Sequence, residues 1–224
     1  ESQHLAMLAN GASKCGAELC QEIMTKLKEQ IDRKEFESQH LAMLANGASK
    51  CGADVCQEIM EKLIAQIDGN VFKSQELAML ANGASKCEDK KTLMKYKEIL
   101  EEKIIQGQPS NELFEAGLLL LLGEVTTNFT WNYIDYFNKN KYIDLHGFNA
   151  EHLEKILNWV AIKCEQPQII IFGRSSHTVG DGNKMKDALE QWLNGNNVME
   201  KKIVFEIDPK NEGRFILPNA KTRS

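Results

Sequence analysis

The sequence predicts an α-solenoid of helix-pair repeats followed by a small α/β two-layer sandwich. Three observations carry this expectation. Residues 1–24 and 37–60 differ only at Glu18/Asp54 and Leu19/Val55, and a looser third copy begins at Lys73-Ser74, so the period is 36 residues. A period in this range marks helix pairs that must stack on neighbours to bury their apolar faces. Past Lys141 that phase gives way to short apolar runs alternating with helical patterns, the order expected of helices on one side of a small mixed sheet.

Each repeat reads as two helices. Ser2, Ser38 and Ser74 are expected N-caps of a first helix that ends near the Lys-Cys pairs at 14–15, 50–51 and 86–87. Gly16 and Gly52 supply the turn. The second helix is expected over Ala17–Ile31, where Leu19, Cys20, Ile23, Met24, Leu27 and Ile31 recur at three- and four-residue spacing. One more period lands on Ser110, after Pro109 and before the helical pattern Asn111 to Val125. The expected organisation is therefore three 36-residue helix-pair repeats over residues 1–107, a degenerate fourth repeat or capping helices over 108–140, and an α/β domain over 141–224. Phe129, Trp131, Tyr133, Tyr136 and Phe137 form the second helix of the fourth repeat. At helical spacing they are expected to be core rather than a base-stacking platform.

The last part reads as strand 141–145, helix 149–164, strand 168–172, helix 183–194, and strands 201–207 and 213–217, with Asn149 and Asn183 as caps. Period-2 alternation puts Ile143 and Leu145 on one face of the first strand and Asp144 and His146 on the other. The second strand opens into Gly173-Arg174-Ser175-Ser176-His177 ahead of a helix. Free backbone N–H groups and the helix dipole favour phosphate oxygens at such a place. A carboxylate and imidazoles beside an anion cradle suggest phosphodiester chemistry.

Asp144-Leu145-His146-Gly147, Ile171-Phe172-Gly173-Arg174-Ser175-Ser176-His177, the amphipathic Met185 to Leu193, and Glu212-Gly213-Arg214-Phe215-Ile216-Leu217 together resemble the Smr (small MutS-related) domain in order and spacing. The resemblance covers Lys141 to Pro218. That family carries LDxH followed by TGxG or HGxG, and its better studied members are nucleases acting on DNA or RNA, some fused to RNA-binding helical repeats. In this chain the first motif reads Ile-Asp-Leu-His. In the second, Gly173 keeps the first glycine, Phe172 replaces Thr or His, and Ser175 replaces the second glycine. The resemblance implies an endonuclease that breaks phosphodiesters by hydrolysis or transesterification. Asp144, His146 and His177 are its expected catalytic residues, one imidazole acting as base, the other as acid, and Asp144 orienting a ring. In a second version the same three side chains hold a divalent metal; the metal-free version is preferred and no cofactor is certain. Gly173, Arg174, Ser175, Ser176 and Lys184 are the expected phosphate contacts, Arg174 offering a bidentate one.

In the repeats, Asn10/Lys14, Asn46/Lys50 and Asn82/Lys86 sit four apart on the first helix and recur every period. Stacked, they form rows suited to single-stranded RNA, with an amide for a base edge and an ammonium for a phosphate. The array resembles octotricopeptide and pentatricopeptide arrays in architecture, although 36 residues matches neither usual length. RNA is the first expected partner, DNA the second. The alternative is a non-catalytic adaptor whose solenoid binds a protein and whose Smr-like domain only docks on nucleic acid or ribosomes.

Composition sets bounds. A hydrophobic share of 42% allows a real core. Leu118 to Leu122, the longest apolar run, falls far below the ~20 residues a bilayer requires, so no membrane partner is expected. A net charge of −5 removes any strong polyanion field, leaving local patches to hold nucleic acid. Six cysteines with repeated C-x4-C spacing suggest metal or disulfides. The third repeat has Thr92 at the second position, so the expectation is buried thiols and a reducing, cytosolic setting. Glu1-Ser2-Gln3-His4 recurs as Glu37-Ser38-Gln39-His40, and the chain is expected to be a fragment of a longer array, any targeting signal lying outside it.

Overall fold

The computed structural model describes residues 1–120, 133–137, 139, 142–145, 152–163, 168–171, 184–195, 206–207 and 214–217. The chain divides into two compact units, Glu1–Val125 and Thr126–Ser224.

The first unit is a helical-repeat array: α1 (Ser2–Ala12), α2 (Ala17–Ile31), α3 (Ser38–Ala48), α4 (Ala53–Ile67), α5 (Ser74–Ser85), α6 (Lys90–Gln106) and α7 (Asn111–Leu120). The first helices α1, α3 and α5 stack in a row that α7 continues, and the second helices α2, α4 and α6 form a parallel row packed against it. Small residues make the inner row tight. A Cβ on Gly47 would lie 2.8 Å from Met24 Sδ and 3.0 Å from the Ala9 carbonyl oxygen, and one on Gly83 would meet Met60 Sδ at 2.8 Å and the Ala45 oxygen at 3.1 Å. Any larger residue there would push neighbouring helices apart.

Between the rows the core holds Met24, Ile31, Ile59, Met60, Leu63 and Ile67, all fully buried. Tyr96 joins it from α6, its hydroxyl donating to the Met60 carbonyl at 2.7 Å. Lys28–Glu58 and Lys62–Asp32 link α2 to its neighbouring repeat across partly exposed surface, where ion pairs add little.

Helix starts differ by one residue from expectation. Ser2, Ser38 and Ser74 are the first helical residues, and Glu1, Glu37 and Lys73 hold the capping position without a side-chain cap. Ser74 Oγ instead donates to the Gln108 carbonyl at 3.0 Å, and the Lys73 N–H is taken by the Glu76 carboxylate at 2.9 Å. True caps occur at α6 and α7, where Asp89 accepts from Thr92 N at 2.8 Å and Ser110 Oγ from Leu113 N at 3.2 Å. The Thr92 amide and hydroxyl hold the Asp89 carboxyl below its usual range.

The second unit contains helical residues 133–137, β1 (Tyr142–Asp144), α8 (Leu153–Lys163), β2 (Gln168–Ile171), α9 (Lys184–Gly195), β3 (Glu206–Ile207) and β4 (Arg214–Leu217). The strands form one sheet in the order β1-β2-β4-β3, with β1 and β2 parallel and the other pairings antiparallel. Ile143 and Leu145 are both buried, as their shared face requires. The two helices pack together, Trp192 Nε1 donating to Asn158 Oδ1 at 2.8 Å.

The expected fourth repeat is divided between the units. Its first helix, α7, stacks on α5 in phase. Tyr133 and Phe137 are buried in the second unit, where the Phe137 and Trp159 rings lie 6.2 Å apart. They are core, as helical spacing suggests; Phe129 and Trp131 lie outside the described residues, as do the expected caps Asn149 and Asn183. His152, just ahead of α8, is buried. Among the described residues no helix is long and apolar enough to cross a membrane.

Candidate functional site

The residues that the sequence singles out fall at two places. The first is the sheet edge where β1 and β2 end. Their parallel register sets Asp144 opposite Ile171, and Leu145 N donates to the Ile171 carbonyl at 2.8 Å. Parallel strands end at the same edge, so the chain leaves β1 toward His146 and leaves β2 toward Gly173 from neighbouring points. The run Gln168 to Ile171 forms β2, a central strand paired along both edges, with β1 and with β4. Asp144 is the last residue of β1. Lys184 opens α9, where its backbone alone is described. His146, Gly173, Arg174, Ser175, Ser176 and His177 lie outside the described residues. Among the described residues, no group of three or more His, Cys, Asp or Glu side chains is disposed to hold a metal ion.

The second place is the outward face of the first helices. Asn10, Asn46 and Asn82 are half-buried, Lys14 and Lys50 exposed, and Lys86 half-buried. The Asn row is partly tied into the scaffold. Asn46 Nδ2 donates to Ser13 Oγ at 3.1 Å, and that hydroxyl donates to the Asn10 carbonyl at 2.8 Å. Ser49 and Ser85 hydroxyls donate likewise to the Asn46 and Asn82 carbonyls, each at 2.8 Å. Asn46 thus retains its Oδ1 and one amide proton for a ligand.

Sequence reasoning passed over two further rows on this face. Gln3, Met7, Asn10 and Lys14 are spaced by four, three and four, which is one face of a helix, and the set recurs as Gln39, Met43, Asn46, Lys50 and Gln75, Met79, Asn82, Lys86. Met7 is 58% exposed, and Met43 and Met79 are half-buried. Their signal was present: a methionine at the same phase of a polar stripe in three successive repeats. No known family, curated protein or solved structure matches this chain.

Proposed function

We propose that the protein binds single-stranded RNA along its helical array and cuts it with an Smr-type endonuclease domain built as an α/β two-layer sandwich. The observation that carries the proposal is the side-by-side ending of β1 and β2. His146 follows Leu145 directly and Gly173 comes two residues after Ile171, so the acid–base motif and the Gly-Arg-Ser-Ser segment start from adjacent strand ends. The contact of α8 with α9 supports one helical layer over the sheet.

In the proposed reaction one imidazole, of His146 or His177, takes the proton from a ribose 2′-OH or from water as the new P–O bond forms. The other imidazole protonates the leaving 5′-oxygen as the old P–O bond breaks. Asp144 orients a ring and steadies its cationic form. Arg174, Ser175, Ser176 and Lys184 compensate the charge on the phosphoryl oxygens. Divalent metal held by Asp144, His146 and His177 is the alternative. Along the array Lys14, Lys50 and Lys86 meet phosphates, Asn10, Asn46 and Asn82 meet base edges, and the methionines offer apolar contact.

Asp144→Asn and His146→Ala are expected to lower cleavage of a single-stranded RNA oligonucleotide by about 100-fold or more, with circular dichroism unchanged. Wild-type protein that cuts neither RNA nor DNA, with or without magnesium or manganese, overturns the enzyme reading. The Met7, Met43, Met79 row favours a second reading, an adaptor whose array holds an apolar peptide. Salt separates the two: RNA binding weakens steeply as salt rises, and peptide binding does not.

A further inference from the structure

Independently of the nuclease reading, we propose that two thiol pairs, Cys20 with Cys51 and Cys56 with Cys87, are disulfide-forming sites that fasten each repeat to the next when peroxide oxidises them. Within a repeat the C-x4-C spacing suggests Cys15 with Cys20 and Cys51 with Cys56. The fold pairs them otherwise. Cys20 Sγ lies 3.7 Å from Cys51 Sγ, one repeat further on. Cys56 and Cys87 come together in the same way, both against the Gly83 carbonyl.

The geometry has a local cause. Gly47 lacks a Cβ, so Met24 closes onto α3, and Cys20, one turn before Met24, reaches the Gly47 carbonyl at 3.5 Å. Cys51 donates to that same oxygen at 3.5 Å. One carbonyl with two lone pairs therefore holds both thiols side by side. The next interface repeats the arrangement, Cys56 and Cys87 meeting the Gly83 carbonyl at 3.5 and 3.8 Å. The two cysteines do not recur one period later in the sequence, where Thr92 and Gly123 stand.

All four sulfurs are thiols in this structure. Closing Cys20–Cys51 to a disulfide of ~2.05 Å draws the sulfurs together by about 1.7 Å. With hydrogen peroxide, a thiolate of the pair attacks one peroxide oxygen. The S–O bond forms, the O–O bond breaks, and water leaves with a proton. The second thiol attacks the resulting sulfenic sulfur, the S–S bond forms and a second water departs, so two thiols and one peroxide give one disulfide and two waters. Burial, with the Cys20 sulfur alongside, pushes the Cys51 thiol up to about 12. Between Cys56 and Cys87 the mutual contact draws the Cys56 thiol down and, with burial, pushes Cys87 up. The reaction therefore quickens as pH rises, because thiolate is the attacking form.

The test treats the folded chain with hydrogen peroxide at mildly alkaline pH, blocks remaining thiols by alkylation, and maps peptides without reduction. The expected products are Cys20–Cys51 and Cys56–Cys87 linked peptides, each two hydrogens lighter, together with a thermal midpoint that rises and returns on adding dithiothreitol. Cys51→Ser is expected to remove the first link and leave the second. Recovery of the four cysteines as alkylated thiols or sulfinic acids overturns the proposal. So does linkage of Cys15 with Cys20, or of Cys20 with Cys56, in comparable yield.

Discussion

Helices α1 and α3 have the same sequence, Ser-Gln-His-Leu-Ala-Met-Leu-Ala-Asn-Gly-Ala, yet they bury different residues. Leu8 is 51% exposed, while its counterparts Leu44 and Leu80 are fully buried. Leu19 is half exposed and its counterpart Val55 is 7% exposed. The cause is the stack: α1 packs on one first helix, α3 on two. Sequence fixes which face of a repeat is apolar, and the neighbour decides how much of that face leaves water. Stability in such an array is thus held mainly at the interfaces.

The largest expected effect separates those two leucines. Leu44→Ala is expected to destabilise the chain by about 2–5 kcal/mol through lost burial and a cavity, and Leu8→Ala by less than about 1 kcal/mol, both read from urea unfolding. Equal costs would break the comparison. The paired glycines sharpen it at smaller scale. Gly47→Ala drives a Cβ against Met24 and the Ala9 carbonyl, and a backbone oxygen cannot swing away, so a loss of about 1–3 kcal/mol is expected. At the equivalent Gly11 nothing lies within 4 Å. There Ala is expected to stabilise by up to about 1 kcal/mol, because it costs less backbone entropy in a helix. Thermal midpoints moving in opposite directions would confirm the pair, and parallel shifts would contradict it.

Much of the array was legible because the chain states its rule twice. The copies fix the period, and Gly16 and Gly52 fix the turns, so the expected second helix Ala17–Ile31 coincides with α2. Less visible were relations between repeats. The serine hydroxyls looked like caps by composition, but the residues before Ser38 and Ser74 have the extended backbone of a cap. The Cys20–Cys51 contact hid behind a shorter spacing, since two cysteines five apart in one repeat are also 31 apart across two. Pro109 and Ser110 announced α7, whereas the partner of Phe137 was invisible because Trp159 belongs to another element.

At the candidate site, the alternation of Ile143 and Leu145 was enough to orient β1, both being buried. The parallel register that brings Asp144 beside Ile171 was not readable, because strand pairing is a long-range choice that a single short run does not encode. The row of Met7, Met43 and Met79 was overlooked for a different reason. Methionine at helical spacing is ordinarily core, and only the stacking shows that this phase faces outward.

The most direct test of the claim that neighbours set stability uses the two identical helices. Their amides have the same intrinsic exchange rates, and NMR tells the copies apart by chemical shift. Native-state hydrogen exchange is expected to show α3 amides protected to near the global unfolding free energy and the matching α1 amides exchanging at least ~10-fold faster through local opening. Equal protection of matched amides in α1 and α3 would contradict it.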